Sequence, residues 1–397
     1  MQQINMFEIM KPHFKFTKPI RLIELFGGIG SQAKALTNLK CDYTHHKLVE
    51  FDKHCINSYN EIHNTKCNTS DITMVSGQDL EIVETKKYDY VMTYSFPCQD
   101  LSLAGKQAGM KKGSGTRSGL LWEVERILHE LKELPQVLLM ENVPDVIGNA
   151  NIKDFNDWQK SLETLGYNNY VQLLNAKHYG IPQNRNRAFM VSILGDYSYT
   201  FPKRQKLTLR LKDFLEDEVD EKYYLSENYI KTFTKELNGK YPRKKRFMQS
   251  IHKDNNVIAW TIGTRTGERP TDNFMLEPVI KTDNKESKVY KIKNEDMPRH
   301  RLYDVNNVCF TITTADNQQP YIIQKSKGVK TDRGVLSIKG IDYWVRKLTP
   351  KECWSLMGFT DEDFNKASKV NSNAQLYKQA GNSIVVQVLE AIFKQML

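Results

Sequence analysis

The feature that most constrains this chain is a repeated succession of short apolar runs and amphipathic helical segments, with polar residues gathered just past the apolar runs. Residues 22–26 end in Gly27-Gly28-Ile29-Gly30, and 31–39 follow with helical character. Residues 47–50 read as a second strand, 88–94 as a third and 137–140 as a fourth. Between the third and fourth, Leu120, Leu121, Val124, Ile127, Leu128 and Leu131 recur at three- and four-residue spacing, marking a helix that Ser118 is placed to cap. Residues 154–165 form a further amphipathic helix, and 171–174 and 188–193 read as a closing pair of strands. Strands alternating with helices predict a parallel, doubly wound α/β sheet. Ligands of such sheets bind beyond the carboxyl ends of the strands, so the polar residues there are the candidates for chemistry.

The rhythm stops near Gly195. Residues 196–345 mix short strands, basic clusters and turn residues, predicting a second, smaller and mostly β domain. Residues 1–195 and 376–397 are expected to form the first domain, with 346–375 as a connector leading back to it. Of the net charge of +10, the stretch 196–342 carries 28 Lys and Arg against 21 Asp and Glu, a basic segment that suits a polyanion or a plain solvated surface. Lys11, His13, Lys15 and Lys18 break the first twenty residues, and no apolar run approaches the ~18 residues of a membrane span. A soluble, cytoplasmic chain is expected. The six cysteines form no C-x-x-C and no zinc spacing, so neither a disulfide scaffold nor a metal site is expected.

Five places past the apolar runs carry candidate chemistry. The turn at Phe26, Gly28, Ile29 and Gly30 opens a helix and can admit a ligand to backbone N–H groups, although it lacks a full G-x-G-x-x-G. Glu50 ends the next strand, where a nucleoside site places the acid for ribose hydroxyls, and Phe51 beside it could stack on a base or fill the core. Pro97-Cys98-Gln99 puts a thiol at a carboxyl end. Glu141 leaves an apolar strand, where its pKa should be raised or held by hydrogen bonds. Arg185 and Arg187 lie two apart, facing one side of a strand, with forks suited to carboxylate or phosphate. Near the end, Asn382 and Ser383 can cap the final helix, 384–396, or face a ligand across Gly381.

In this order the motifs resemble the bacterial and phage cytosine-5 DNA methyltransferase family. F-G-G-I-G looks like its cofactor turn, P-C-Q its catalytic motif, E-N-V its second signature, and Gln183-x-Arg185-x-Arg187 and Gly381-Asn382-Ser383 its later elements. The likeness covers both ends of the chain and leaves out 196–345, which matches the family's variable target-recognition domain. Glu24 stands where the family usually has Asp, and Ser31 where it usually has Gly. Phe310-Thr311-Ile312-Thr313-Thr314 loosely resembles an element near the end of the recognition domain.

The resemblance implies a Rossmann-like core that uses S-adenosylmethionine, held by Phe26, Gly28, Ile29, Gly30, Glu50, Phe51, Asp71, Ile72, Pro97, Leu120, Asn382 and Ser383. It implies that Cys98 attacks carbon 6 of a flipped cytosine while Glu141 protonates ring nitrogen 3. Arg185 would hold the base's carbonyl and the carboxylate and lower the thiol pKa, with Arg187 in the same catalytic group. Double-stranded DNA is the implied partner of a monomeric enzyme, alongside an independent restriction endonuclease or in phage self-protection. Gln99, Ser102, Lys106, Gln107 and Arg117, then Arg265, Arg269, Thr311 and Thr313, are the implied DNA contacts, and no metal is required. Two rivals are a transfer-RNA methyltransferase of the same core and a DNA-binding relative with a dead site. The first has a shorter recognition region; the second usually lacks the nucleophile or the acid.

Overall fold

A computed structural model of the chain describes residues 11–101, 109–224, 226–228, 344 and 346–397, together with the backbones of seven further strands between 273 and 347. The first half builds β1 (Ile20–Leu25), α1 (Ser31–Asn38), β2 (Tyr43–Val49), α2 (Lys53–His63), β3 (Asp89–Tyr94), α3 (Leu121–Glu130), β4 (Val137–Asn142), α4 (Ile152–Thr164), β5 (Tyr167–Asn175), β6 (Gln183–Asn184) and β7 (Asn186–Leu194). The main sheet has the order β2-β1-β3-β4-β7-β5. Its first four strands are parallel, whereas β7 runs antiparallel to both β4 and β5. The expectation of a wholly parallel sheet fails at β7. The link over 176–185 is short for a crossover, and neighbours joined by so little chain pair antiparallel.

Successive side chains of a strand point to opposite faces, and both faces are buried. Leu22, Val91, Leu139, Val191 and Ile193 pack on the side of α1 and the C-terminal helices. Ile23, Leu25, Met92, Leu138, Met140 and Met190 pack on the side of α3 and α4, against Val124, Ile127, Leu128, Phe155 and Trp158. Every residue of β3 and β4 is buried, so Glu141 and Asn142 belong to β4 itself. Ser118 does not cap α3. It opens a 3₁₀ turn at Ser118–Leu120, and its hydroxyl donates instead to the carbonyl of Pro97 at 2.7 Å.

The second sheet, from β8 (Asn273–Pro278), β9 (Val289–Lys291), β10 (Arg301–Tyr303), β12 (Tyr321–Ile322), β13 (Val335–Ile338) and β14 (Ile341–Lys347), is mixed, in the order β12-β10-β8-β14-β13-β9. The remaining strand, β11 (Cys309–Phe310), leaves that sheet and pairs in parallel with β6. The chain then forms α5 (Pro350–Ser355), α6 (Asp361–Ser368), α7 (Asn373–Asn382) and α8 (Val386–Phe393). Residues 346–375, expected as a connector, supply core: Leu348, Cys353, Trp354, Leu356 and Met357 are wholly buried. Asn382 ends α7 and Ser383 is its C-cap, its hydroxyl donating to the carbonyl of Gln379 at 2.7 Å. The N-cap of α8 is Val385, with no side-chain cap bond, so neither residue caps it.

Arg346 and Glu352 form a bidentate pair at 2.9 Å for both bonds, and both side chains are fully buried. Glu352 also accepts from the backbone N–H of Thr349 at 2.7 Å and of Glu216 at 2.9 Å, so three segments meet on one carboxylate. Removing one partner of such a pair strands a buried charge. Glu352→Ala should therefore lower the unfolding free energy by about 3–5 kcal/mol. Urea unfolding checks this, and a loss below about 1 kcal/mol, the ceiling for an exposed pair, contradicts it.

Candidate active site

The glycine turn lies at the carboxyl end of β1. Phe26 holds a left-handed φ of 56°, costly for a residue with a side chain, and its N–H and that of Gly27 both donate to the carbonyl of Val49, at 2.8 and 3.3 Å. Gly28 shares that φ of 56°, and a Cβ added there would meet nothing within 4 Å. Its backbone therefore faces open space. A pocket lies beside it, lined by Phe26–Ile29, Ser31, Gln32, Cys55 and Ser95, and by Gln379, Asn382, Ser383 and Ile384 from the other end of the chain.

Glu50 stands at the turn. Its carboxylate accepts from the N–H of Gly28 at 2.9 Å and of Asp52 at 2.8 Å. Burial pushes its pKa up, and those N–H groups draw it back. Phe51 beside it is 76% exposed, so it does not fill the core. Asp71 is exposed and accepts from both the N–H and hydroxyl of Thr73, while Ile72 is buried. Leu120 is half-buried just before α3. Turn, acid, exposed ring and cavity all lie at the carboxyl edge of the β2-β1-β3 half of the sheet.

Pro97 and Cys98 leave β3 at the same edge. Cys98 is half-buried, and its carbonyl accepts from Leu101 at 3.0 Å. Glu141, 7% exposed, is paired with Arg187, whose Nε lies 3.1 Å from its Oε1. The sequence reading gave the carboxylate to Arg185. Arg185 is 4% exposed, and its Nη2 donates to the carbonyls of Gly381 at 2.9 Å and Ser383 at 2.8 Å. Burial pushes the Cys98 thiol pKa up. Arg187 and Arg185 pull it down and Glu141 raises it, so the expected lowering by arginine is outweighed. Burial likewise raises the pKa of Glu141 against the pull of both arginines. A buried carboxyl whose pKa is raised, a thiol and two guanidinium groups can together deliver a proton to a ring nitrogen while sulfur attacks the ring.

Three supporting residues escaped the sequence reading as individuals. Asn142 donates to the carbonyl of Phe96 at 3.0 Å, tying β4 to the segment that carries Cys98. Asp100, 6% exposed, accepts from Arg117 N–H at 2.8 Å, and its own carbonyl accepts from Gly109 at 3.0 Å. Gln379 reaches Ser58 and the carbonyl of His54 as well as the cavity. A buried-run neighbour such as Asn142 could have been found from its place beside Glu141; the other two depend on contacts distant in sequence. Of the implied DNA contacts, Gln99 and Arg117 are exposed beside Cys98 and Asp100. Ser102, Lys106, Gln107, Arg265, Arg269, Thr311 and Thr313 lie outside the described residues, although the β11–β6 pairing sets the backbone before Thr311 beside Gln183.

Comparison with known proteins agrees with this geometry. A family model for C-5 cytosine-specific DNA methylase matches residues 20–397. The type II methyltransferase M2.ScrFI of Lactococcus lactis subsp. cremoris is 35% identical over 322 residues, 80% of this chain and 70% of that protein. The orphan methyltransferase M.SPBetaI of Bacillus phage SPbeta is 28% identical over 455 residues, covering 95% of this chain and 97% of that protein. Among solved structures, the Dnmt2 methyltransferase of S. pombe superposes with a TM-score of 0.59 at 16% identity, covering 95% of this chain and 98% of that one, a likeness of fold.

Beneath the glycine turn, Glu24 is 1% exposed and accepts from the Tyr59 hydroxyl at 2.5 Å and from Ala33 N–H at 3.4 Å. Burial pushes its pKa from 4.5 up to about 7, against those two bonds. Its contribution to stability is thus full below pH 4.5 and lost as pH rises through about 7. Nearby His63 has the opposite sign, since burial first and then His45 lower its pKa from 6.5 to about 3. Its contribution is full above pH 6.5 and lost as pH falls, so the two partly cancel in the native chain. Glu24→Gln removes only the first, and should gain about 3 kcal/mol relative to the native chain between pH 4.5 and 7.5. Urea midpoints at both pH values measure it; a difference that does not change with pH would show that Glu24 does not titrate there.

Proposed function

This chain belongs to the C-5 cytosine-specific DNA methylase family, and from that premise we propose that Cys98 is its nucleophile, Glu141 its proton donor and Arg187 the residue that holds that carboxyl in place. The enzyme is a DNA cytosine-5 methyltransferase, and S-adenosylmethionine is its methyl donor. The observation that carries the catalytic assignment is the meeting of Cys98 with the Glu141–Arg187 pair at one sheet edge beside the glycine-turn cavity.

The residues present fit the donor. Gly28 leaves space for a close backbone approach, Glu50 has free lone pairs for ribose hydroxyls, and exposed Phe51 offers a ring face to adenine. Ile72, Asp71 and Leu120 complete that end, and Phe26, Ile29, Gly30, Pro97, Asn382 and Ser383 the other. When bound, S-adenosylmethionine supplies an electrophilic methyl group. Cys98 Sγ, as thiolate, forms a bond to carbon 6 of cytosine, and the displaced electron pair makes carbon 5 nucleophilic toward that methyl. Glu141 gives its proton to ring nitrogen 3, which lowers the cost of adding negative charge to the ring. A base then takes the carbon 5 proton, which restores the double bond as the carbon–sulfur bond breaks and the thiolate departs, and ring nitrogen 3 returns its proton to Glu141. A base inside a duplex cannot reach this edge, so the cytosine is flipped out to it.

Residues 196–345 choose the sequence in this reading, with Arg265 and Arg269 at base edges and Thr311 and Thr313 among the DNA contacts. The relatives' names, a type II methyltransferase and a phage orphan methyltransferase, support a role in restriction–modification or phage self-protection; we read the enzyme as a cytoplasmic monomer. Among the described residues no helix is long and apolar enough to cross a membrane. DNA also meets the catalytic domain at a basic corner. Ala176 N–H donates to the carbonyl of Arg185 at 3.0 Å, which sets Lys177 and His178 next to the catalytic arginines. Gln205 N–H donates to the carbonyl of His178 at 3.0 Å, bringing Arg204 onto the same corner. Burial and then neighbouring cations lower the pKa of both Lys177 and His178, as expected of like charges crowded together.

Two experiments test these readings. Cys98→Ser should abolish methyl transfer yet bind S-adenosylmethionine nearly as the native chain does, because a serine hydroxyl is a far weaker nucleophile at neutral pH. Duplex DNA with 5-fluorocytosine at the target should trap native enzyme covalently, since fluorine cannot leave as a proton does. Appreciable turnover by the serine variant, or no trapped species with active enzyme, would reject Cys98. The double variant Lys177→Ala/Arg204→Ala should weaken DNA binding alike for all sequences and reduce the slope of log affinity against log salt by about 2. An unchanged slope would remove DNA from that corner.

A further inference from the structure

We infer that Arg126 is a positioning residue for S-adenosylmethionine: it fastens the 71–77 segment, and with it the Asp71–Ile72 edge of the cofactor site, to α3. The inference rests on the proposed role of that edge. Arg126 lies on α3 among Glu123 and Glu130, away from the buried Leu121, Val124, Ile127 and Leu128. Its guanidinium is used on every side. Nε donates to Glu123 Oε2 at 2.8 Å, and Nη1 to Glu130 Oε1 at 2.9 Å. Nη2 donates to the carbonyls of Ile72 at 3.1 Å and Val75 at 2.8 Å. The second oxygen of Glu130 accepts from Gly77 N–H at 2.8 Å.

One guanidinium and one carboxylate thereby hold three backbone groups of a segment whose own order is two short 3₁₀ turns, at Ile72–Met74 and Gln78–Leu80. The approach is close. A Cβ on Gly77 would lie 2.9 Å from both Glu130 Cβ and the Ile127 carbonyl, so only glycine lets this backbone reach α3. The two carboxylates sit three residues before and four after Arg126, the spacings at which helix neighbours meet, and they fix the plane of its fork. α3 follows Leu120 directly, so the helix whose start adjoins one cofactor residue also anchors two others through its middle and end. A lysine keeps the charge but has no planar fork to bridge two carbonyls and two acids.

Arg126→Lys should weaken S-adenosylmethionine binding about tenfold by calorimetry and raise its KM in proportion. At saturating cofactor, kcat and the KM for DNA should stay within about twofold. Damage to the fold alone would instead reduce kcat with the folded fraction. Glu130→Gln, which keeps an acceptor for Gly77, should give a smaller loss in the same direction. Asp71→Ala should cost less affinity in the Arg126→Lys background than alone, because both act through one segment. Unchanged cofactor affinity in a folded Arg126→Lys, or strictly additive losses, overturns the inference. If Asp71→Ala alone leaves affinity unchanged, the reading of that edge falls and takes this inference with it. If Asp71→Ala weakens binding and Arg126→Lys does not, only the positioning role falls.

Discussion

The site depends on one buried guanidinium. Arg185 leaves the sheet between β6 and β7 and donates to two carbonyls, of Gly381 and Ser383, where α7 gives way to the turn before α8. A charge so deeply buried is costly unless a counter-charge is near, and Glu141 supplies that counter-charge. The bonds fasten the C-terminal helices to the edge that holds Cys98. They also fix one wall of the cofactor cavity, because Asn382, Ser383 and Ile384 face the glycine turn across it. The catalytic edge and the cofactor cavity are therefore braced by the same side chain. With its guanidinium tied to the backbone, Arg185 leaves the ion pair with Glu141 to Arg187.

Much of this was legible in the sequence because the signals were local. The apolar runs, the glycines before α1, the acid after β2 and the thiol after β3 each lie within a few residues of the element that positions them. Fully buried β3 and β4 read as largely apolar runs, as central strands do. The errors were of another kind. Ser118 looked like a cap because it precedes an amphipathic helix, but its hydroxyl is taken by Pro97, twenty-one residues earlier. Residues 346–375 were expected as a connector leading back to the first domain, and Trp354 and Met357 pack into the core beside α8. Bonds between segments far apart in sequence, such as Gln379 with Ser58 or Arg126 with Val75, leave no periodic trace to read.

The reversal of β7 has the largest functional consequence. In a wholly parallel sheet the first residues of β7 would lie at the amino edge, far from the ends of β3 and β4. Running antiparallel, β7 starts where β4 finishes: Ala188 pairs with Asn142 and Phe189 with Glu141, which brings Arg187 level with the end of β4. Two arginines that begin a strand thus meet a carboxylate and a thiol that end or follow strands. On the short β6 just before them, β11 adds in parallel from outside the second sheet, Cys309 beside Gln183 and Phe310 beside Asn184. A segment whose sequence has no βα rhythm is in this way hydrogen-bonded to the chain two residues before Arg185. Any displacement of that segment would be felt first at Arg185 and Arg187, a coupling that the order of strands alone creates.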